Sequence, residues 1–186
     1  MRARFTPHAL LRAGHRLVFL TGWFCRRAEH VCLAESSSTS GWRTSFRKEK
    51  CLMGASDLIA LVDRLRSLPN ETEWFEFKQN HVSPEEIGEY LSALANEALL
   101  CNQPRGYLVF GIDDATHDVV GTTFQPYLTK AKGNQDLLPW INSRLRPNPG
   151  VWTSEVEHSG QRVVVLAVGP APNQPVVFEG KAYARS

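Results

Sequence analysis

Apolar residues recur at helical spacing from Leu58 onward: Leu58, Leu61, Val62 and Leu65 share one face, with Ser56 placed to cap, Asp57 in the first turn and Arg64 and Arg66 near the end. Pro69 and Asn70 stop this helix. Within "ETEWFEFKQN" (71–80) the period changes to two. Phe75 and Phe77 alternate with Trp74, Glu76 and Lys78, which predicts a half-buried strand carrying Glu76 and Lys78 on the face opposite the phenylalanines. The clearest local signal is "SPEEIGEYLSALANEALL", where Ser83 as N-cap, Pro84 at the first helical position and Glu86 at N3 form a capping box. Behind it Ile87, Tyr90, Leu91, Leu94 and Ala98 make the apolar stripe of a long core helix that ends near Asn102 to Pro104.

"GYLVFGIDD" (106–114) is almost continuously apolar between turn residues, as in a strand buried on both faces, and is expected at the centre of the sheet. "DVVG" (118–121) is expected to pair back through the turn at Ala115 to His117. Residues 134–145 read as a helix weakened by Pro139. "VWTSEVEH" and "RVVVLAVG" flank Ser159-Gly160, and "PVVF" and "KAYAR" flank Glu179-Gly180, so two hairpins with two-residue loops follow. Helices inserted among parallel and antiparallel strands indicate an α/β fold, a two-layer mixed sheet with packed helices.

Residues 1–52 show neither period, and "ESSSTSG" (35–41) is a short low-complexity run, so this segment is expected to be a disordered or non-native N-terminal extension, with Met53 the natural start and residues 53–186 the domain. Charge divides the same way. The first 52 residues hold ten Lys/Arg against three acids, +7, leaving 11 against 16, −5, for the rest of a chain of net charge +2. A basic arm for nucleic acid is one explanation, and sequence under no packing constraint is the other. "LVFLTGWF" (17–24) is far shorter than the ~20 residues of a bilayer span, and Arg26 and Arg27 stand where a secretory cleavage site would be. Cys25, Cys32, Cys51 and Cys101 fit neither a zinc site nor a disulfide framework, so a cytoplasmic location is expected and no membrane association.

There is no Walker A loop or strand-led GxGxxG, and His81, His117 and His158 are scattered. What stands out is a set of acids, Glu71 and Glu76 around the first strand and Asp113 and Asp114 leaving the central one. If those strands are neighbours, the acids could converge on a hard divalent cation. The alternative is that they cap turns and that Glu76 pairs with Lys78. A basic stretch runs from Lys130 and Lys132 to Arg144 and Arg146 with only Asp136 opposing, and Lys78, Arg105 and Arg185 are candidates to join it. Tyr127 and Trp140 lie in the same stretch and offer stacking faces to bases if exposed.

The blocks "ETEWFEFK", "IGEYLSALANEA", "GYLVFGIDDATHDVVGTTF" and "VVVLAVGPAPNQPVVFEGKAYARS" together resemble, in order, the Schlafen AlbA-type (AlbA_2) domain of bacterial regulator-like proteins, over essentially residues 53–186. The resemblance implies a mixed α/β fold and nucleic-acid binding, often ahead of a helix-turn-helix or winged-helix region. In nuclease members of the Schlafen group, the acids of an E-[ST]-x-x-x-E-F-K block and an aspartate after the G-x-x-D strand cut RNA with a divalent metal. Glu71, Glu76 and Asp114 match those positions, which implies a catalytic and Mg- or Mn-binding role for them if the chain is a nuclease. Two features depart from the family pattern: "CNQPRG" replaces a Gly-Gly pair, lengthening the loop and adding Arg105, and the chain stops after "YARS", where relatives continue.

The expectation is therefore a DNA-binding domain of transcriptional-regulator type lacking its C-terminal effector part, contacting nucleic acid through Lys78, Arg105, Lys130, Lys132, Arg144 and Arg146 and possessing the means to form a homodimer. The alternative is a metal-dependent endoribonuclease acting on RNA. A third is an ATP-binding or non-catalytic interaction module.

Overall fold

Ser83 shows how local chemistry sets the frame. Its hydroxyl accepts from the Glu86 N–H at 3.2 Å while the Glu86 carboxylate accepts from the Ser83 N–H at 2.9 Å, so the capping box is closed in both directions. The helix it starts crosses the whole domain and organises the rest. The computed structural model describes residues 17–19, 54–68, 72–80 and 82–185.

In chain order the elements are β1 (Leu17–Phe19), α1 (Ala55–Arg66), β2 (Phe75–Lys78), α2 (Pro84–Leu100), β3 (Gly106–Phe110), β4 (Lys130–Ala131), β5 (Gln135–Asp136), α3 (Leu137–Arg144), β6 (Leu145–Arg146), β7 (Val151–His158), β8 (Gln161–Val168), β9 (Val177–Phe178) and β10 (Lys181–Arg185). The main sheet has the order β2-β3-β8-β7, with β2 parallel to β3 and the other pairings antiparallel. A second sheet runs β1-β10-β9-β6, all antiparallel. The mixed α/β architecture is thus present, with β3 inside the main sheet and all five of its residues buried.

Alternation along the strands explains the packing. Phe75 and Phe77, with Tyr107, Val109, Val163, Val165 and Ala167, turn to one face and pack under Leu58, Leu61, Val62 and Leu65 of α1. Leu108, Phe110, Val164, Leu166 and Val168 turn to the other and meet Ile87, Leu91 and Leu94 of α2, with α3 and Phe178 completing that core. Full burial of side chains such as Phe75 and Phe77 contributes about 1.5–3 kcal/mol each. Polar residues in the buried face of α2 fasten the second sheet: Asn96 donates to the Val176 and Tyr183 carbonyls and accepts from the Val176 N–H, and Ser92 donates to Val176 O.

Several boundaries differ from the sequence reading. The cap of α1 is Gly54, whose N–H donates to Asp57 at 3.3 Å, so Ser56 lies inside the first turn. Helix α2 ends at Leu100, with Cys101 as C-cap, two to four residues before the expected stop. Helix α3 begins at Leu137 because Gly133 and Asn134 have φ of 73° and 60°, which ends a short 3-10 turn before the β5 strand. "DVVG" contributes a single bridge, Ile112 to Val119, and no strand. Both expected hairpins form, with positive φ at Ser159, Gly160, Glu179 and Gly180, the backbone of a turn whose twist matches its strands.

Of the segment expected to lie outside the domain, Leu17–Phe19 pairs with β10; the remainder of residues 1–52, where the extension and its disorder were expected, falls outside the described residues. Among the described residues no helix is long and apolar enough to cross a membrane.

Candidate nucleic-acid interface

The acids come first, because the alternation that predicts β2 also aims Glu76. Glu76 pairs in register with Leu108 and shares its face, which α2 and β10 cover, so this side chain is 1% exposed where a half-buried strand had been expected to present it. Burying a carboxylate requires compensation. It comes from the Lys78 ammonium, two residues along the same face, and from the Arg185 guanidinium at the end of β10. Arg185, itself 3% exposed at its side chain, also donates to the Thr72 carbonyl at 3.0 Å and to the Phe75 carbonyl, and its own N–H donates to Glu97. Lys78 further lies 5.2 Å from the Tyr90 ring centroid, and burial raises the Tyr90 hydroxyl above its ordinary value.

Asp113 and Asp114 have separate roles. Asp113 Oδ1 accepts from the N–H groups of Ala115 and Thr116 and from the Thr116 hydroxyl, and Gln79 donates to its other oxygen; these bonds, that from the Thr116 N–H foremost, hold its carboxyl below the usual range. It is a turn cap. Asp114 is exposed in that turn and shares no partner with Glu76. Glu71 lies outside the described residues. Among the described residues no group of three His, Cys, Asp or Glu side chains is placed to hold a metal ion, and Glu76, enclosed between two cations, does not fit a ligand for one.

The cations divide into two sets. The half-buried Lys78 and the buried Arg185 both pair with Glu76. Arg105 lies 4.7 Å from the Trp152 ring centroid, beside β7 and away from the rest. The other four surround α3. Lys130 and Lys132 lead into it through the β4-β5 pair, and Arg144 and Arg146 leave it. Lys130 pairs with Asp136 at 2.5 Å, both exposed, and Arg144 pairs with Glu179 at 3.0 Å while its guanidinium covers the Trp140 ring at 4.4 Å. Lys132 and Arg146 are exposed and make no ion pair among the described residues; Arg146 donates to the carbonyls of Asn142 and Leu145.

The two aromatics part company. Trp140 is 1% exposed and packs edge-on against Phe178 at 5.6 Å, so it is core and offers no face to a base. Tyr127 is 63% exposed. Sequence reasoning missed the structural roles of Ser92, Asn96 and Arg185; the available signal was a pair of polar residues four apart inside an otherwise apolar helical stripe.

No curated protein matches the chain in sequence. Among solved structures the chain is similar to the N-terminal domain of an ATP-dependent DNA helicase RecG-related protein from Nitrosomonas europaea, at 21% identity and a TM-score of 0.45, covering 69% of this chain and 82% of that one. It is also similar to the DIP2311 protein from Corynebacterium diphtheriae, at 21% identity and a TM-score of 0.37, where 69% of this chain covers 24% of the other. The family model described as "Schlafen, AlbA_2" matches residues 71–186, more than half of the chain and all four blocks of the sequence. The chain belongs to the Schlafen AlbA_2 family.

Proposed function

We propose that this domain binds nucleic acid, as a DNA-binding module of transcriptional-regulator type, through the cations around α3. Family membership supports the class of ligand. The observation that carries the reading to residues is the flanking of one eight-residue helix by Lys130 and Lys132 at its start and Arg144 and Arg146 at its end, against Asp136 alone within that stretch. Such a helix is about 12 Å long. At about 3.4 Å of axis per phosphate on each strand, that length corresponds to three or four phosphates. Within this patch Lys130 faces Asp136 and Arg144 faces Glu179, while Lys132 and Arg146 make no ion pair among the described residues.

The reading is tested by binding of labelled duplex DNA and RNA across a range of salt concentrations, wild type against the variant with Lys130, Lys132, Arg144 and Arg146 all changed to alanine. The variant should bind more weakly and with a flatter dependence of log affinity on log salt. Wild-type affinity and slope in the variant would exclude this surface.

A further inference from the structure

Between β3 and β4 the chain runs over the surface, and residues 122–130 form a ridge with a cleft on each side. One cleft, of about 540 Å³, is bounded by Tyr127, Arg162 and Glu155. The other, of about 570 Å³, is bounded by Phe124, Pro84 and Lys130. Thr123, Gln125 and Leu128 line both and so form the wall between them. Each volume lies within the ~300–1,000 Å³ of small-molecule sites, ample for a nucleobase.

The ridge is chemically unusual for a connecting loop. Tyr127 and Leu128 are 63% and 71% exposed, and the side chains of Gln125 and Tyr127 make no hydrogen bond among the described residues. The backbone beneath them is nevertheless held. The Asn80 side chain accepts from the Thr122 hydroxyl and the Thr123 N–H, Arg162 donates to the carbonyls of Thr122 and Phe124, and the N–H groups of Leu128 and Thr129 bond back to Gln125. A fixed backbone thus presents an unpartnered aromatic ring, an unpartnered carboxamide and an isobutyl group, with Lys130 lining the second cleft.

We infer that this ridge takes unpaired nucleotides: a base stacks on Tyr127, the Gln125 carboxamide faces the base edge, and Lys130 and Lys132 receive the phosphates. Stacking needs a free π-face, which bases inside a duplex do not offer. Charge complementarity selects a polyanion over a peptide of opposite sign, because the basic stretch that leads into α3 begins at the end of this ridge. The inference rests on the proposed nucleic-acid binding and adds the form of the ligand: single-stranded segments, loops or frayed ends.

The test measures anisotropy of labelled oligothymidylate against an abasic strand of the same length and charge, and against a duplex, at one low salt concentration. Wild type should prefer oligothymidylate to the abasic strand. Tyr127→Ala should lose about 5- to 150-fold of the oligothymidylate affinity and leave abasic and duplex binding unchanged, while Tyr127→Phe keeps the preference. Equal binding of abasic and base-bearing strands by wild type, or an unaffected Tyr127→Ala, overturns the stacking ridge and leaves the proposed function standing. Absence of binding to all three ligands overturns both.

Discussion

Glu76 on β2 and Arg185 on β10 form an ion pair whose side chains are 1% and 3% exposed, joining the first strand of the main sheet to the last strand of the chain. The arginine also caps carbonyls at Thr72 and Phe75, so one side chain ties the end of β10 to the start of β2. Removing one member of a buried pair leaves the other charge uncompensated, at about 3–5 kcal/mol. Lys78 remains beside Glu76, so Arg185→Met should cost about 3 kcal/mol in urea unfolding, at the low end of that range. Adding Glu76→Gln to Arg185→Met should recover part of the loss; a single variant as stable as wild type would show that the pair does not hold the strands together.

Asn96 satisfies three backbone groups of the segment that leads into β9 and of β10, at 2.7 to 3.0 Å, from inside the apolar face of α2. Asn96→Ala removes the acceptor of the Val176 N–H, at about 1–3 kcal/mol for a buried group left unsatisfied, while Ser92 still donates to the Val176 carbonyl. The expected readout is loss of hydrogen-exchange protection at the Val176 amide together with a lower unfolding midpoint. Protection equal to wild type would remove Asn96 from this role.

Gly88 lets the Phe178 ring lie against the α2 backbone: a Cβ there would stand 2.2 Å from the ring. Gly88→Ala should therefore destabilise by about 1–3 kcal/mol despite the better helix propensity of alanine. Combining it with Phe178→Leu should be less harmful than the sum of the two single changes, as measured in a double-mutant cycle.

Glu97 supplies a pH dependence. Burial raises its carboxyl above the ordinary 4.5, with the Arg185 N–H acting in the opposite direction. A raised folded-state value means that the native state holds the proton more tightly. The contribution of Glu97 is then fully present below pH 4.5 and is lost as pH rises through the folded value. Glu97→Gln cannot ionise, so its Tm should exceed that of wild type at neutral pH, with the difference closing as pH falls toward 4.5. A variant less stable than wild type at neutral pH would mean that the carboxylate gains more from Arg185 than burial costs it.

The four cations around α3 should not contribute equally to phosphate binding. Lys132 and Arg146 have no acidic partner among the described residues, whereas Lys130 faces Asp136 and Arg144 faces Glu179. With a slope near −0.9 per phosphate neutralised on B-DNA, Lys132→Ala with Arg146→Ala should flatten the salt dependence by about two units. Lys130→Ala with Arg144→Ala should flatten it less, because each substitution also releases a carboxylate into the interface. Equal slopes for the two double variants would show that the ion pairs open on binding.

Much of the frame was legible in the residues. The capping box at Ser83, the alternation around Phe75 and Phe77 and the two hairpin dipeptides each led to the element observed. The misplaced start of α3 has the same kind of cause as these successes: Asn134 suits a helix start by composition, but its positive φ after Gly133 places it in a turn. At the candidate site less could be read. Glu76 and Lys78 share a face as expected, yet what covers that face was not visible in the spacing, and Trp140 and Tyr127 are alike in sequence terms while one is core and the other exposed.

The sequence by itself determined α1, α2, the strands of the main sheet, the two hairpin turns and the side of each of those strands on which a residue falls, because those depend on backbone preferences and on neighbours a few positions away. Only the tertiary structure decided that Glu76 is enclosed by Arg185 from the far end of the domain, that Asn96 bonds β10, and that clefts flank an exposed Tyr127. Burial and ion pairing are set by which distant segments meet, and hydrophobic periodicity carries no information about that meeting.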